Sequence, residues 1–122
     1  MKKQKSQTIV PRVIVRRVGK RCPADITLDS PEAIHDFWIN QIQARKDHEP
    51  DKEHLVAVIT DIKFRLVGYS LVSIGSLSET VAQMREIFRP AFLIGGYALA
   101  LVHNHPSGDP GPSGSDRRLT RQ

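Results

Sequence analysis

The chain has 122 residues, 39% of them hydrophobic and 25% charged, a length that suits one domain and a composition that excludes a disordered or fibrous protein. It carries 18 Lys and Arg against 13 Asp and Glu, but eight of the basic residues and none of the acids fall in residues 1–21, so the remainder has a net charge of −3. The single cysteine, Cys22, excludes an internal disulfide, and no stretch approaches the roughly 18 apolar residues of a membrane helix, so a soluble protein of the reducing cytoplasm is expected.

In chain order, the basic residues Lys2 to Arg21 form an arm that serves as a solubilising tail or as a contact for nucleic acid or an acidic partner. Within it, TIVPRVIVRRV (8–18) is β-branched and reads as a strand interrupted by Pro11. Cys22 follows a basic cluster but has no companion that would give it a catalytic role. DSPEAIHDFWINQIQAR (29–45) predicts a helix: Ser30 can cap it, Pro31 suits the first turn and Glu32 favours the positive end of the dipole. Ile34, Phe37, Trp38 and Ile42 make an apolar stripe at helical spacing, which assigns Trp38 to the core.

After the polar link KDHEPDKE (46–53), two β-branched runs, EHLVAVITD (53–61) and RLVGYSLVSIG (65–75), predict an antiparallel hairpin across the short DIKF link. Ser78 is expected to cap a helix over 79–88, and Pro90 to break or restart it. Next come a short apolar helix, a turn at Gly95-Gly96 and a buried strand from about Tyr97 to His103. The segment 104–114 is dense in turn residues, and SDRRLTRQ opens a further helix that the chain ends after about two turns.

The chemistry gathers in LVHNHPSGDPGPSGSD (101–116). Residues i and i+2 of a strand face the same way, so His103 and His105 can aim both rings at one point. Three protein ligands with a fourth position left to water is the pattern of catalytic zinc, and Asp116 can be the third ligand if the loop turns it back. A water on such a zinc needs a general base, and a developing oxyanion needs a donor, a place Ser113 can fill. By themselves, two histidines at a strand end serve as readily as structural or solvent-facing residues. The full string His-x-His-x7-Ser-x2-Asp is far more specific.

His103, His105, Ser113 and Asp116 match the motif of the JAMM (JAB/MPN) metalloproteases, and the wording HNHPSGDPGPS..D resembles the bacterial RadC branch of that superfamily. REIFRPA (85–91) is similar to the RadC segment R-E-x-F-R-x-A, and EHLVAVITDIKFRLVG to its strand pair. The resemblance runs from about Ser30 to the last residue. It implies an α/β, mixed α+β architecture: the three-layer JAB/MPN (cytidine-deaminase-like) fold around a curved mixed sheet. RadC domains continue past the aspartate, so this chain is expected to lack the last helix and strand. The organisation that follows is a basic arm over 1–22 and a RadC-like domain over 23–122.

The resemblance also implies one Zn²⁺ held by His103, His105 and Asp116, with Glu53 as the acid/base and Ser113 stabilising the tetrahedral intermediate. The expected reaction is attack of activated water on an amide of a peptide or protein substrate. The rival carboxylates read otherwise: Glu49 sits in the link before a proline, and Glu79 and Glu86 lie on the predicted helix. Asn104 and Ser107 read as loop-capping residues, and Arg85 and Glu86 as a local pair or a support for the site. His35, His48 and His54 read as surface or packing residues, with His54 facing away from Glu53. From another class comes the alternative of a DNA-repair-associated or nucleic-acid-binding accessory module with an idle or structural metal site. It draws on the basic arm, although full-length RadC proteins carry a helical DNA-binding-like region where this chain has that arm.

Overall fold

A computed structural model describes residues 26–75 and 84–122. The strand expected over 8–18, Cys22 and the Ser78 cap lie outside these residues.

The elements run α1 (Pro31–Phe37), which continues as a π-helical segment (Trp38–Gln43), then β1 (His54–Thr60), β2 (Leu66–Ile74), α2 (Met84–Ile94), β3 (Ala98–His103) and α3 (Gly114–Thr120). Ser30 begins α1 as expected, its hydroxyl accepting the Ala33 N–H at 3.1 Å, with Pro31 in the first turn. The π-helical segment was not foreseen. It carries Trp38 and Ile42, which are buried together with Phe37 at the end of α1.

β1 is the middle strand of a three-stranded sheet in the order β2-β1-β3, antiparallel to both neighbours. All seven of its residues are buried. Its alternate side chains divide between two cores, as the two-residue repeat of a strand requires. Val56 and Val58 meet Leu28, Phe37, Trp38 and Ile42 on one face. Leu55 meets Ile87 on the other, with Met84, Leu99 and Leu119 packed alongside. Helices therefore cover both faces, which gives the mixed α/β, three-layer arrangement. Every described strand pairing is antiparallel, so the parallel pairing of a mixed sheet has no counterpart among the described residues. Full burial of each of these aliphatic side chains is worth about 1.5–3 kcal/mol, which makes β1 the energetic centre of the domain.

The DIKF link turns through Asp61. Its carboxylate accepts the Lys63 and Arg65 N–H groups and the Arg65 guanidinium, and Phe64 takes a positive φ of 57°. These bonds hold the Asp61 carboxyl below its ordinary value, the Arg65 backbone contact foremost, with the Arg65 side chain and the Lys63 N–H adding to it against the opposing effect of burial.

Two expectations need correction. Pro90 neither breaks nor restarts the helix; α2 runs through it. Fully buried Ile87 anchors the chain before the proline, and the Gly96 N–H bonds the Ala91 carbonyl at 2.8 Å after it, so only the bond to the Glu86 carbonyl is lost, on the exposed side. The last strand starts at Ala98 and is half-buried rather than buried, with Leu101 38% exposed, because it is an edge strand among the described residues. No helix among the described residues is long and apolar enough to cross a membrane.

Gly95 closes α2 with a left-handed φ of 69°, and Gly96 lies against β1. A Cβ on Gly96 would drive into Ile59 Cγ2 and press on the Ala91 carbonyl. Gly96→Ala is therefore expected to destabilise the domain by about 1–3 kcal/mol, as overpacking does, read as a lowered midpoint in denaturant. An unchanged midpoint would mean that the α2–β3 turn is looser than the packing indicates.

Candidate metal centre

Because β3 runs antiparallel to β1, the start of β1 and the end of β3 lie at the same end of the sheet. Leu55 is paired with His103, so His103 shares the face that carries Leu55, and His105 follows two residues on. Glu53, two residues before Leu55, comes to that face from the other strand. The loop over 104–113 then returns the chain to α3, whose Leu119 packs on the Leu55–Ile87 core. Asp116 lies three residues earlier on the same side of this helix, so the apolar anchor and the carboxylate arrive together.

The structure brings together Glu53, His103, His105 and Asp116, each offering a ligand atom within 4.8 Å of the others. The two imidazole Nε2 atoms stand 2.9 Å apart. Asp116 reaches His103 Nε2 at 3.3 Å through Oδ1 and His105 Nε2 at 3.2 Å through Oδ2. Atoms about 2.0–2.1 Å from a tetrahedral zinc stand about 3.3 Å from one another, so these three side chains fit one ion. Glu53 Oε1 is set back, 3.8 Å from His103 Nε2 and 4.0 Å from His105 Nε2.

Two further observations favour a cation. Asp116 Oδ1 is buried and has no hydrogen-bond partner, an arrangement that is costly for a carboxylate oxygen unless something positive faces it. His105 Nδ1 bonds the Asp109 carbonyl, which makes Nδ1 the protonated nitrogen and leaves the Nε2 lone pair for a metal.

The electrostatics agree with a paired cluster. The Asp109 carbonyl raises the affinity of His105 for a proton above its ordinary value, with Asp116 and Glu53 adding to it against the effect of burial. Burial pushes the Asp116 carboxyl up, but the Ser113 backbone and side chain and His103 outweigh it and hold the group below the ordinary value.

Ser113 is the N-cap of α3. Its Oγ accepts the Asp116 N–H at 3.1 Å, and its own N–H donates to Asp116 Oδ2 at 2.7 Å, a reciprocal capping box. Ser113 thus orients the aspartate through the helix start and keeps its hydroxyl proton. The cleft beside this cluster, about 370 Å³, is walled by Gly108, Asp109, Pro110 and Pro112 together with the two histidines and Asp116.

The rival carboxylates are elsewhere. Glu49 pairs with Lys52 at 2.9 Å, and Glu86 pairs with Arg89 at 3.1 Å and Arg85 at 3.8 Å, all on the exposed surface. Glu79 lies outside the described residues. His54 turns to the opposite face and stacks on His48 with ring centroids 4.4 Å apart. Burial lowers the proton affinity of His48, and His54 beside it adds to that, with Asp47 opposing. Asn104 is a cap of a kind its sequence does not reveal. Its carboxamide reaches across to β1, accepting the His54 N–H at 2.8 Å and donating to the Lys52 carbonyl at 3.0 Å.

A family model described as "RadC-like JAB domain" matches residues 28–122. The chain is similar to the UPF0758 protein GSU0386 of Geobacter sulfurreducens, 38% identical over 93 residues, which is 76% of this chain and 38% of that protein. It is similar also to the UPF0758 protein TTE0897 of Caldanaerobacter subterraneus, 39% identical over 98 residues, 80% of this chain and 40% of the relative. A UPF0758 protein of Finegoldia magna is 32% identical over 110 residues, 89% of this chain and 47% of the relative. The chain spans less than half the length of each of these proteins.

Proposed function

Because the chain belongs to the RadC-like JAB domain family, we propose that it is a zinc-dependent hydrolase of the JAMM type that cleaves an amide bond in a peptide or protein. The observation that carries this reading is the spacing within the cluster: three side chains at the distances of one tetrahedral ion, and a fourth, the Glu53 carboxylate, slightly farther out at 3.8 and 4.0 Å from the two imidazoles. A zinc ion supplies Lewis acidity, lowering the pKa of a water and polarising a carbonyl.

The rest is the work of the chain's own side chains. His103 and His105 would hold the ion through Nε2, and Asp116 would hold it through its carboxylate while neutralising its charge in part. Glu53 takes a proton from the attacking water on Oε1 and delivers it to the leaving amide nitrogen. Ser113 keeps Asp116 in place through the capping box, and its hydroxyl proton is the donor for the oxyanion. The loop from Gly108 to Pro112 bounds the cleft in which a substrate segment would lie.

Elemental analysis of the purified protein, followed by assay on a panel of fluorogenic peptides with and without a zinc chelator, tests the reading. One zinc per chain and chelator-sensitive cleavage are expected. A protein that takes up no stoichiometric zinc even on reconstitution would refute it.

The charge distribution favours a second reading, an accessory role on nucleic acid through the arm. Eight basic residues in residues 1–21 face a remainder of net charge −3, so DNA affinity, where present, resides in the arm and not at the metal centre. Binding to a duplex should then fall steeply between low and physiological salt and vanish when residues 1–21 are removed. Affinity that survives the deletion would exclude the arm.

A further inference from the structure

We propose that Asn104 is a positioning residue for Glu53, its carboxamide serving as an added rung of the β1–β3 ladder that fixes the proton-carrying carboxylate relative to both imidazoles. The inference rests on the reading of Glu53 as the proton carrier.

β3 ends at His103, so its backbone no longer pairs with β1 beyond Leu55. The His54 N–H would be left unmatched on that side, and the Lys52 carbonyl would keep only its contact with His54 Nδ1 at 3.0 Å. A carboxamide carries the same donor and acceptor as a peptide group, and the Asn104 side chain presents both. Oδ1 takes the His54 N–H at 2.8 Å, and Nδ2 gives to the Lys52 carbonyl at 3.0 Å. The two contacts fall on the residues immediately before and after Glu53. On the other side, the Glu53 carbonyl accepts the Gly75 N–H at 2.8 Å from the end of β2. The Glu53 backbone is thus gripped from both neighbouring strands, once by a backbone and once by a side chain.

The position of Asn104 in the chain explains why the grip matters. It lies between His103 and His105, so one residue links the two imidazoles to the segment that carries Glu53. Side chains alternate along a strand, so Asn104 can turn to the backbone of β1 while its two neighbours face the ion. The two hydrogen bonds thus act, beside the pairing of Leu55 with His103, on the segment whose Glu53 Oε1 lies 3.8 Å from His103 Nε2. Ser107, by contrast, bonds only within its own loop, to the Asp109 N–H at 3.3 Å.

The experiment compares the full chain with Asn104→Ala, which removes both bonds, and Asn104→Asp, which keeps the acceptor for the His54 N–H and loses the donor. Folding is checked by far-UV circular dichroism. In metal-free protein, amide exchange at His54 should speed up roughly five- to tenfold in Asn104→Ala, as expected for one net hydrogen bond, and stay near wild type in Asn104→Asp. The NMR order parameter of the Glu53 N–H should fall below that of the rigid strand in both.

In cobalt-loaded protein, Asn104→Ala should keep one metal per chain and alter the visible absorption bands. It should add nothing to those bands when Glu53→Gln is already present. A merely structural asparagine would leave the Glu53 order parameter unchanged, or would shift the bands equally in both backgrounds. Either result overturns the proposal. Failure of the parent protein to bind zinc or cobalt would instead defeat the hydrolase reading, and the exchange and order-parameter data would still judge whether Asn104 holds Glu53.

Discussion

Glu53→Gln should keep its zinc and lose roughly 10²–10⁴-fold in the rate of amide cleavage, the range over which a positioned acid/base acts. The geometry motivates the split. Glu53 Oε1 is 3.8 and 4.0 Å from the two imidazole nitrogens, while Asp116 is within 3.3 Å of both, so the glutamate stands slightly outside the trio formed by Asp116 and the two imidazoles. Glutamine keeps the length and the hydrogen-bonding capacity of the side chain and removes the capacity to carry the proton. Metal content and turnover measured on one sample separate the outcomes. Loss of zinc would make Glu53 a ligand. Full activity with zinc retained would show that another group moves the proton, and Glu49 and Glu86 are poorly placed for it, being paired with Lys52 and Arg89 on the surface.

His103→Ala and His105→Ala should each abolish stoichiometric zinc and, with it, the stabilisation that zinc gives. A ligand that binds only the folded chain stabilises by about 2.7 kcal/mol at one hundred times its dissociation constant. In a domain of about 100 residues each kcal/mol moves the melting midpoint by about 4–8 °C. Wild type should therefore melt about 10–20 °C higher with saturating zinc than with chelator, and neither variant should show that difference. The imidazoles contribute unequally to the metal-free fold, since His105 alone bonds a loop carbonyl, that of Asp109. His105→Ala should consequently melt lower than His103→Ala when both are free of metal. A zinc-dependent shift retained in both variants would move the centre elsewhere.

Much of this arrangement was legible in the chain, for identifiable reasons. The hairpin announced itself through two β-branched runs across a short polar link, and α1 through a serine followed by a proline. The His-x-His spacing and the strand-end position of the pair named the face on which the four side chains converge. The relation of Glu53 to that face depended on pairing between segments far apart in sequence, and the family resemblance supplied it where spacing alone did not. The chain did not reveal the fate of Pro90, because the proline's intrinsic cost was weighed without Ile87 and Ala91, which hold the helix on either side of it. The reach of Asn104 was equally hidden. An asparagine in a loop rich in glycine and proline reads as a local cap, and its actual partners are backbone groups of residues 52 and 54, which leave no mark on side-chain spacing.

The site is assembled from three stretches of chain, at the start of β1, the end of β3 and the first turn of α3. The pairing of β1 with β3 joins residues about forty to fifty apart, so the loop-closure entropy is met before Glu53 reaches the imidazoles. An unfolded chain offers only the His103–His105 pair at close range; the third ligand and the glutamate arrive with the sheet and with α3. Metal uptake from the denatured state should therefore lag behind chain collapse and follow the rate of native sheet formation. Time-resolved cobalt absorption during refolding would then serve as a clock for the closing of this particular strand pair.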